Sequence, residues 1–135
     1  MKKFNTVIFD LDGVLIDSKE NMRVSWEHVR KKLNVKQKFN NYFKHIGLPF
    51  DRILKNIGIK KNIYKITKLY KNQSIANLNK LKVIPGVIQT IKKLNKKNVK
   101  VAIVTSKDTK RTKLIVKKFK IPIKVLISPS KNLRG

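Results

Sequence analysis

A short apolar run, Thr6 to Phe9, leads straight into Asp10, and a second aspartate follows at Asp12, just before Gly13. The run is too short and too continuously apolar for an amphipathic helix. It predicts a strand buried on both faces of a parallel sheet. Asp10 then stands at the carboxyl end of that strand, and in open α/β sheets the ligand crevice lies outside the carboxyl ends of the strands. Acid is scarce elsewhere: of seven Asp and Glu residues, Asp10, Asp12, Asp17 and Glu20 fall within positions 10–20, and only Asp108 lies beyond Asp51. Carboxylate concentrated at one strand end constrains both the fold and the chemistry.

The same pattern returns later in the chain. Val87, Ile88, Ile91 and Leu94 mark one face of a helix, and Val99 to Val104 predicts a second strand ending at Thr105-Ser106. A further helix begins near Asp108 with Ile115 and Phe119 on one face, and Lys124 to Ile127 predicts a last short strand. The chain between the first two strands is far longer than one crossover helix needs. Met22, Trp26, Val29 and Leu33 form one helical stripe there. Phe39, Tyr42, Phe43 and Ile46 form a second, and Phe50, Ile53, Leu54 and Ile57 a third. Gly47 and Pro49 punctuate the second join, and a fourth helical stretch covers about Asn62 to Leu81. Pro85-Gly86 marks the return. The expected architecture is α/β: a parallel-sheet core from residues 1–17 and 82–135, with an α-helical bundle, residues 18–81, inserted into it.

At 135 residues the length favours one domain. There is no cysteine, hence no disulfide framework and no thiolate metal site. No run of eighteen apolar residues and no signal peptide is found, so the expectation is a cytoplasmic protein with no membrane partner. A net charge of +27 points at first to a polyanion. The charge is nearly all lysine, 29 Lys against 5 Arg, and it is spread over every segment. Nucleic-acid sites favour arginine for bidentate contacts and interleave it with aromatics, so no specific nucleic-acid partner is expected.

Asp10 and Asp12 could do no more than end a strand, with Gly13 supplying a permissive backbone. The strand-end setting also suits chemistry. A carboxylate there can act as a nucleophile towards phosphorus, and a second one nearby can protonate the leaving group. Mg²⁺ would relieve the repulsion between these acids and an incoming phosphate. Backbone amides near Asp12 and Gly13, and a hydroxyl on a neighbouring strand, could supply the remaining charge neutralisation.

FDLDGVLIDS, residues 9–18, resembles the first motif of the haloacid dehalogenase superfamily of phosphohydrolases, and VAIVTSK, residues 101–107, resembles its second. The insertion between them looks like the helical cap of the phosphoglycolate-phosphatase-like and phosphoglucomutase-like branch. The resemblance implies a Rossmann-like parallel core with a cap and a magnesium-dependent phosphatase acting on a small phosphorylated metabolite. It makes Asp10 the nucleophile and a metal ligand, and Asp12 the general acid/base whose main-chain carbonyl also touches the metal. Thr105 becomes the phosphoryl-binding hydroxyl, with the Ser106 amide beside it. Dehalogenating members lack the second aspartate, so Asp12 argues for phosphoryl transfer.

The family also needs a lysine in a third motif and an acidic pair in a fourth, and neither can be assigned in these 135 residues. The core is therefore expected to be incomplete, as in an amino-terminal portion of a longer phosphatase. The 135-residue chain alone is expected to be inactive, with one edge of the Thr6 to Phe9 strand unpaired. A phosphomutase of the same branch and a non-catalytic basic binding protein are the alternatives. Asp17 and Glu20 have capping-box spacing, Asp108 reads as a helix N-cap, and Lys107, which follows the phosphate-binding pair and could touch an anion, reads first as one more solvent-facing lysine. Affinity for duplex DNA should be weak, purely salt-dependent and gone near physiological ionic strength. Fluorescence anisotropy on several unrelated duplexes at rising salt checks this, and tight, sequence-selective binding at that salt would overturn it.

Overall fold

In the computed structural model, which describes residues 4–129, the expected alternation is present. The elements in chain order are β1 (Thr6–Phe9), β2 (Ile16–Asp17), α1 (Lys19–Leu33), α2 (Phe39–Phe43), α3 (Phe50–Asn56), α4 (Ile63–Ala76), a 3₁₀ turn (Leu78–Lys80), β3 (Lys82–Val83), α5 (Val87–Lys96), β4 (Lys100–Val104), α6 (Thr109–Lys118) and β5 (Val125–Ile127). The fold is α/β, and the chain divides into two compact units, one of residues 1–17 with 82–135 and one of Ser18–Leu81.

In the first unit β1, β4 and β5 form a parallel sheet in that order. The register sets Phe9 opposite Ile103, and Ile103 opposite Leu126, so the carboxyl ends of all three strands lie together. Paired residues of a parallel ladder point to the same face. Val7, Phe9, Val101, Ile103 and Leu126 therefore share one face, and Ile8, Ala102, Val104, Val125 and Ile127 the other. The strand order advances in one direction, and right-handed crossovers then bring α5 and α6 to the same side of the sheet. That side is the sealed one, since Val101, Ile103, Ile91 of α5 and Ile115 of α6 are all buried.

The opposite face is open among the described residues: Ile8 is 63% exposed and Ile127 56%. This corrects the expectation that β1 is buried on both faces. Only Val7 and Phe9 are half-buried, because β1 lies at the end of the described sheet and none of the described elements covers Ile8.

β2 and β3 make a second, two-stranded antiparallel sheet, pairing Ile16 with Val83 and Asp17 with Lys82. The residues that lead into and out of the Ser18–Leu81 insertion are thus held side by side. This pairing also corrects the start of α1. Asp17 is committed to β2, so Ser18 becomes the N-cap, without a side-chain cap bond, and Glu20 pairs with Arg23 at 2.6 Å instead of closing a capping box.

The helical unit is held by aromatic packing. Trp26 of α1 is fully buried, stacks on Tyr42 with ring centroids 4.9 Å apart, and donates its indole N–H to the Gln37 carbonyl at 2.9 Å. Phe50 stacks on Tyr70 at 4.5 Å, and the Tyr42 and Tyr70 hydroxyls bond each other at 2.8 Å. Asn21 ties α1 to the end of α4, donating to the Ser74 and Asn77 carbonyls and accepting from the Ser74 hydroxyl. Every polar group named here has its partner, so it can be buried without the desolvation penalty that an orphan would incur. No helix among the described residues is long and apolar enough to cross a membrane.

Trp26→Ala removes the ring on which Tyr42, Phe50 and Tyr70 converge. It should destabilise the helical unit by about 3–5 kcal/mol. Urea unfolding followed by far-ultraviolet circular dichroism measures the loss.

Candidate functional site

Asp10 follows the last residue of β1, and its Oδ1 accepts the Leu11 amide at 2.6 Å. The loop beyond it is anchored by Leu11, Leu15 and Ile16, all essentially fully buried. The Leu11 carbonyl accepts from the amides of Val14, Leu15 and Ile16 at 3.3, 3.0 and 3.1 Å. Gly13 turns this loop at φ +77°, and a Cβ there would meet nothing within 4 Å, so the backbone angle rather than crowding selects glycine. The Gly13 amide donates to the Ile16 carbonyl at 2.8 Å. It is used inside the loop and not directed at a ligand, which corrects the expectation that it neutralises an incoming anion.

At the end of β4, Thr105 is buried, and its amide donates to the Ile127 carbonyl at 3.0 Å, extending the β4–β5 ladder by one residue. Its Oγ1 accepts the Lys107 amide at 3.2 Å. Ser106 lies half-buried in the turn between them. Asp108 caps α6 through the Arg111 amide at 3.1 Å, and its carboxylate also accepts from Arg111 Nε.

The β1–β4 register brings these two strand ends side by side, and a side-chain contact joins them. Lys107 Nζ lies 3.2 Å from Asp12 Oδ2, with the two side chains only 4% and 14% exposed. Asp12 Oδ1 is buried and has no hydrogen-bond partner. Lys107 is therefore not solvent-facing, as one lysine among many would be, but part of the site. Burial lowers its pKa below the ordinary lysine value and Asp12 opposes that shift, while the guanidinium of Arg111, also buried, adds to it. Arg111 carried no sequence signal beyond its spacing three residues after Asp108. Of the residues singled out from sequence, Asp12 and Thr105 are thus linked through Lys107, and Asp10 and Ser106 occupy the same two strand ends.

No three His, Cys, Asp or Glu side chains gather as a metal cluster among the described residues. Mg²⁺ does not require one, since it commonly takes one or two carboxylates and completes its shell with water and substrate phosphate. The Asp10 carboxylate and the Asp12 main-chain carbonyl are hard oxygen donors that fit such an ion.

A family model described as Haloacid dehalogenase-like hydrolase matches residues 7–128. The chain belongs to that family. Among curated proteins this haloacid dehalogenase-like chain is similar to pyrophosphatase PpaX of Oceanobacillus iheyensis, 29% identical over 76% of this chain and 48% of the relative. It is also similar to phosphoglycolate phosphatase of Aquifex aeolicus, 27% identical over 82% and 53%. The chain spans about half the length of the curated relatives it matches. Among solved structures, a hydrolase from Pseudomonas syringae superposes with a TM-score of 0.83 at 21% identity, covering 93% of this chain and 61% of that one. A "predicted phosphoglycolate phosphatase" from Haemophilus somnus gives 0.80 at 25%, covering 100% and 66%.

The lowered pKa of Lys107 has a signed consequence. Between its folded value and the ordinary lysine value the unfolded chain binds more protons, so unfolding free energy should rise with pH through that window and level off above about 10.5. Urea melts from pH 7 to 11 measure the slope, and Lys107→Met should flatten it.

Proposed function

We propose that this haloacid dehalogenase-like protein supplies the nucleophilic half of a magnesium-dependent phosphatase site for small phosphorylated metabolites of the cytoplasm. The reading is carried by one observation: two carboxylates at the end of β1 stand beside the Thr105 turn at the end of β4, with Asp12 fixed by a buried cation. The relatives' names support the substrate class, since a pyrophosphatase and a phosphoglycolate phosphatase both split a phosphoryl group from a small molecule.

In this mechanism the Asp10 carboxylate attacks phosphorus, the bond to the leaving oxygen breaks, and Asp12 gives that oxygen its proton. Water then attacks the aspartyl-phosphate, with Asp12 taking the proton back, which returns Asp10 and releases phosphate. The Thr105 hydroxyl and the Ser106 amide hold the phosphoryl oxygens. Mg²⁺, held by Asp10 and the Asp12 carbonyl, would offset the negative charge shared by the acids and the phosphate.

Asp10→Asn keeps the shape of the side chain but makes it a far poorer nucleophile. In a chain extended through the later lysine and acid-pair motifs, it should cut magnesium-dependent turnover of nitrophenyl phosphate on the order of a thousandfold or more, with an unchanged circular dichroism spectrum. Undiminished turnover would remove Asp10 from the role. The 135-residue chain alone is expected to release no phosphate, and magnesium-dependent release by it would overturn that part of the reading.

A further inference from the structure

We propose that Lys107 is the positioning residue of this site, holding the Asp12 carboxylate in one orientation while its main chain fixes the Thr105 hydroxyl. The inference rests on the reading of Asp12 as the proton donor, and it goes beyond that reading by naming what aims the donor.

Lys107 is bonded to both strand ends. Its Nζ meets Asp12 Oδ2 at 3.2 Å and its amide donates to Thr105 Oγ1 at 3.2 Å, so a single residue spans the end of β1 and the end of β4. The side chain is 4% exposed, which leaves the ammonium little room to move. The turn that carries it is rigid as well. Asp108 caps the next helix, and the Thr112 hydroxyl donates back to the Asp108 and Lys107 carbonyls. The Asp12 main chain is held by its bridge to Ile16, through the Gly13 and Ile16 amides, but that bridge does not fix its side chain. Its carboxylate needs a holder of its own, because Oδ1 has no hydrogen-bond partner and Oδ2 meets Lys107. An ammonium on one oxygen fixes the direction of the other, as a proton donor aimed at a leaving group requires.

The test is made on the 135-residue chain by NMR. The three-bond couplings from Asp12 Cγ to its own amide nitrogen and carbonyl carbon report whether the side chain holds one rotamer. Wild type is expected to give the limiting values of a single rotamer, and Lys107→Met, close in length and uncharged, averaged values. Ile115→Ala, a core truncation on the following helix that does not touch Asp12, should leave the single rotamer intact. A fixed Asp12 in Lys107→Met, or an averaged one in wild type, overturns the proposal.

If Lys107→Met does not fold, Asp12→Asn decides from the other side. The Lys107 ammonium signal, expected to be resolved in wild type through protection from water, should then be lost; no resolved signal in wild type, or a retained one in Asp12→Asn, is the overturning result. Where turnover is measured in the extended chain, Lys107→Met should lower kcat by about a hundredfold through misplacement of the donor and leave KM nearly unchanged. A rise in KM alone would assign Lys107 to phosphate binding instead. Failure of the proton-donor reading would show as undiminished turnover of Asp12→Asn in the extended chain and leave the rotamer result standing, so the two failures are separable.

Discussion

Parallel pairing of β1 with β4 is the contact on which the rest of the first unit depends. It sets the Asp10 loop beside the Thr105 turn, and it closes a loop that includes the whole helical unit. Loop closure grows only slowly with length, each doubling adding about 0.6 kcal/mol, so a long insertion is tolerable if its own ends are near each other. β2 and β3 provide that condition. Ile16 faces Val83 and Asp17 faces Lys82, so the sheet sees a short detour in place of a long one. The insertion can then fold around its own aromatic core without disturbing the strand register.

The electrostatics of the strand ends follow from burial. Lys107, Arg111, Asp12 and Asp108 form two cation–acid pairs in a region where isolated charges would be expensive. Arg111 with Asp108 is local, three residues apart on one helix turn, and serves the helix end. Lys107 with Asp12 is long-range and serves the sheet. Removing one partner of the long-range pair would strand a charge in a poorly solvated place, whereas the local pair sits beside a helix N-terminus that already favours the acid.

Much of this was legible in the sequence, for physical reasons. β1, β4 and β5 announced themselves as short apolar runs, and the helical stripes at Met22, Trp26 and Val29 fell on one buried face. The strand-end positions of Asp10, Asp12, Thr105 and Ser106 could be read from where those runs stop. β2 and β3 could not, because two-residue strands carry no periodicity and their partners are far apart in the chain. Lys107 was hidden by composition: among 29 lysines nothing local distinguishes a buried one, and only its place two residues after a strand-end threonine hints at it. The exposed Ile8 face was hidden by symmetry, since a continuously apolar strand does not say which of its faces is covered.

That uncovered face has a colloidal consequence. Ile8, Val104, Val125 and Ile127 form an adhesive patch on a molecule whose net charge is +27, so two copies attract at contact and repel at a distance. The range of the repulsion is set by dissolved ions, falling from about 30 Å at 0.01 M to about 8 Å at physiological ionic strength. Dilute buffer therefore keeps the patches apart and moderate salt lets them meet. A chain with this charge and this patch should therefore disperse best at low ionic strength.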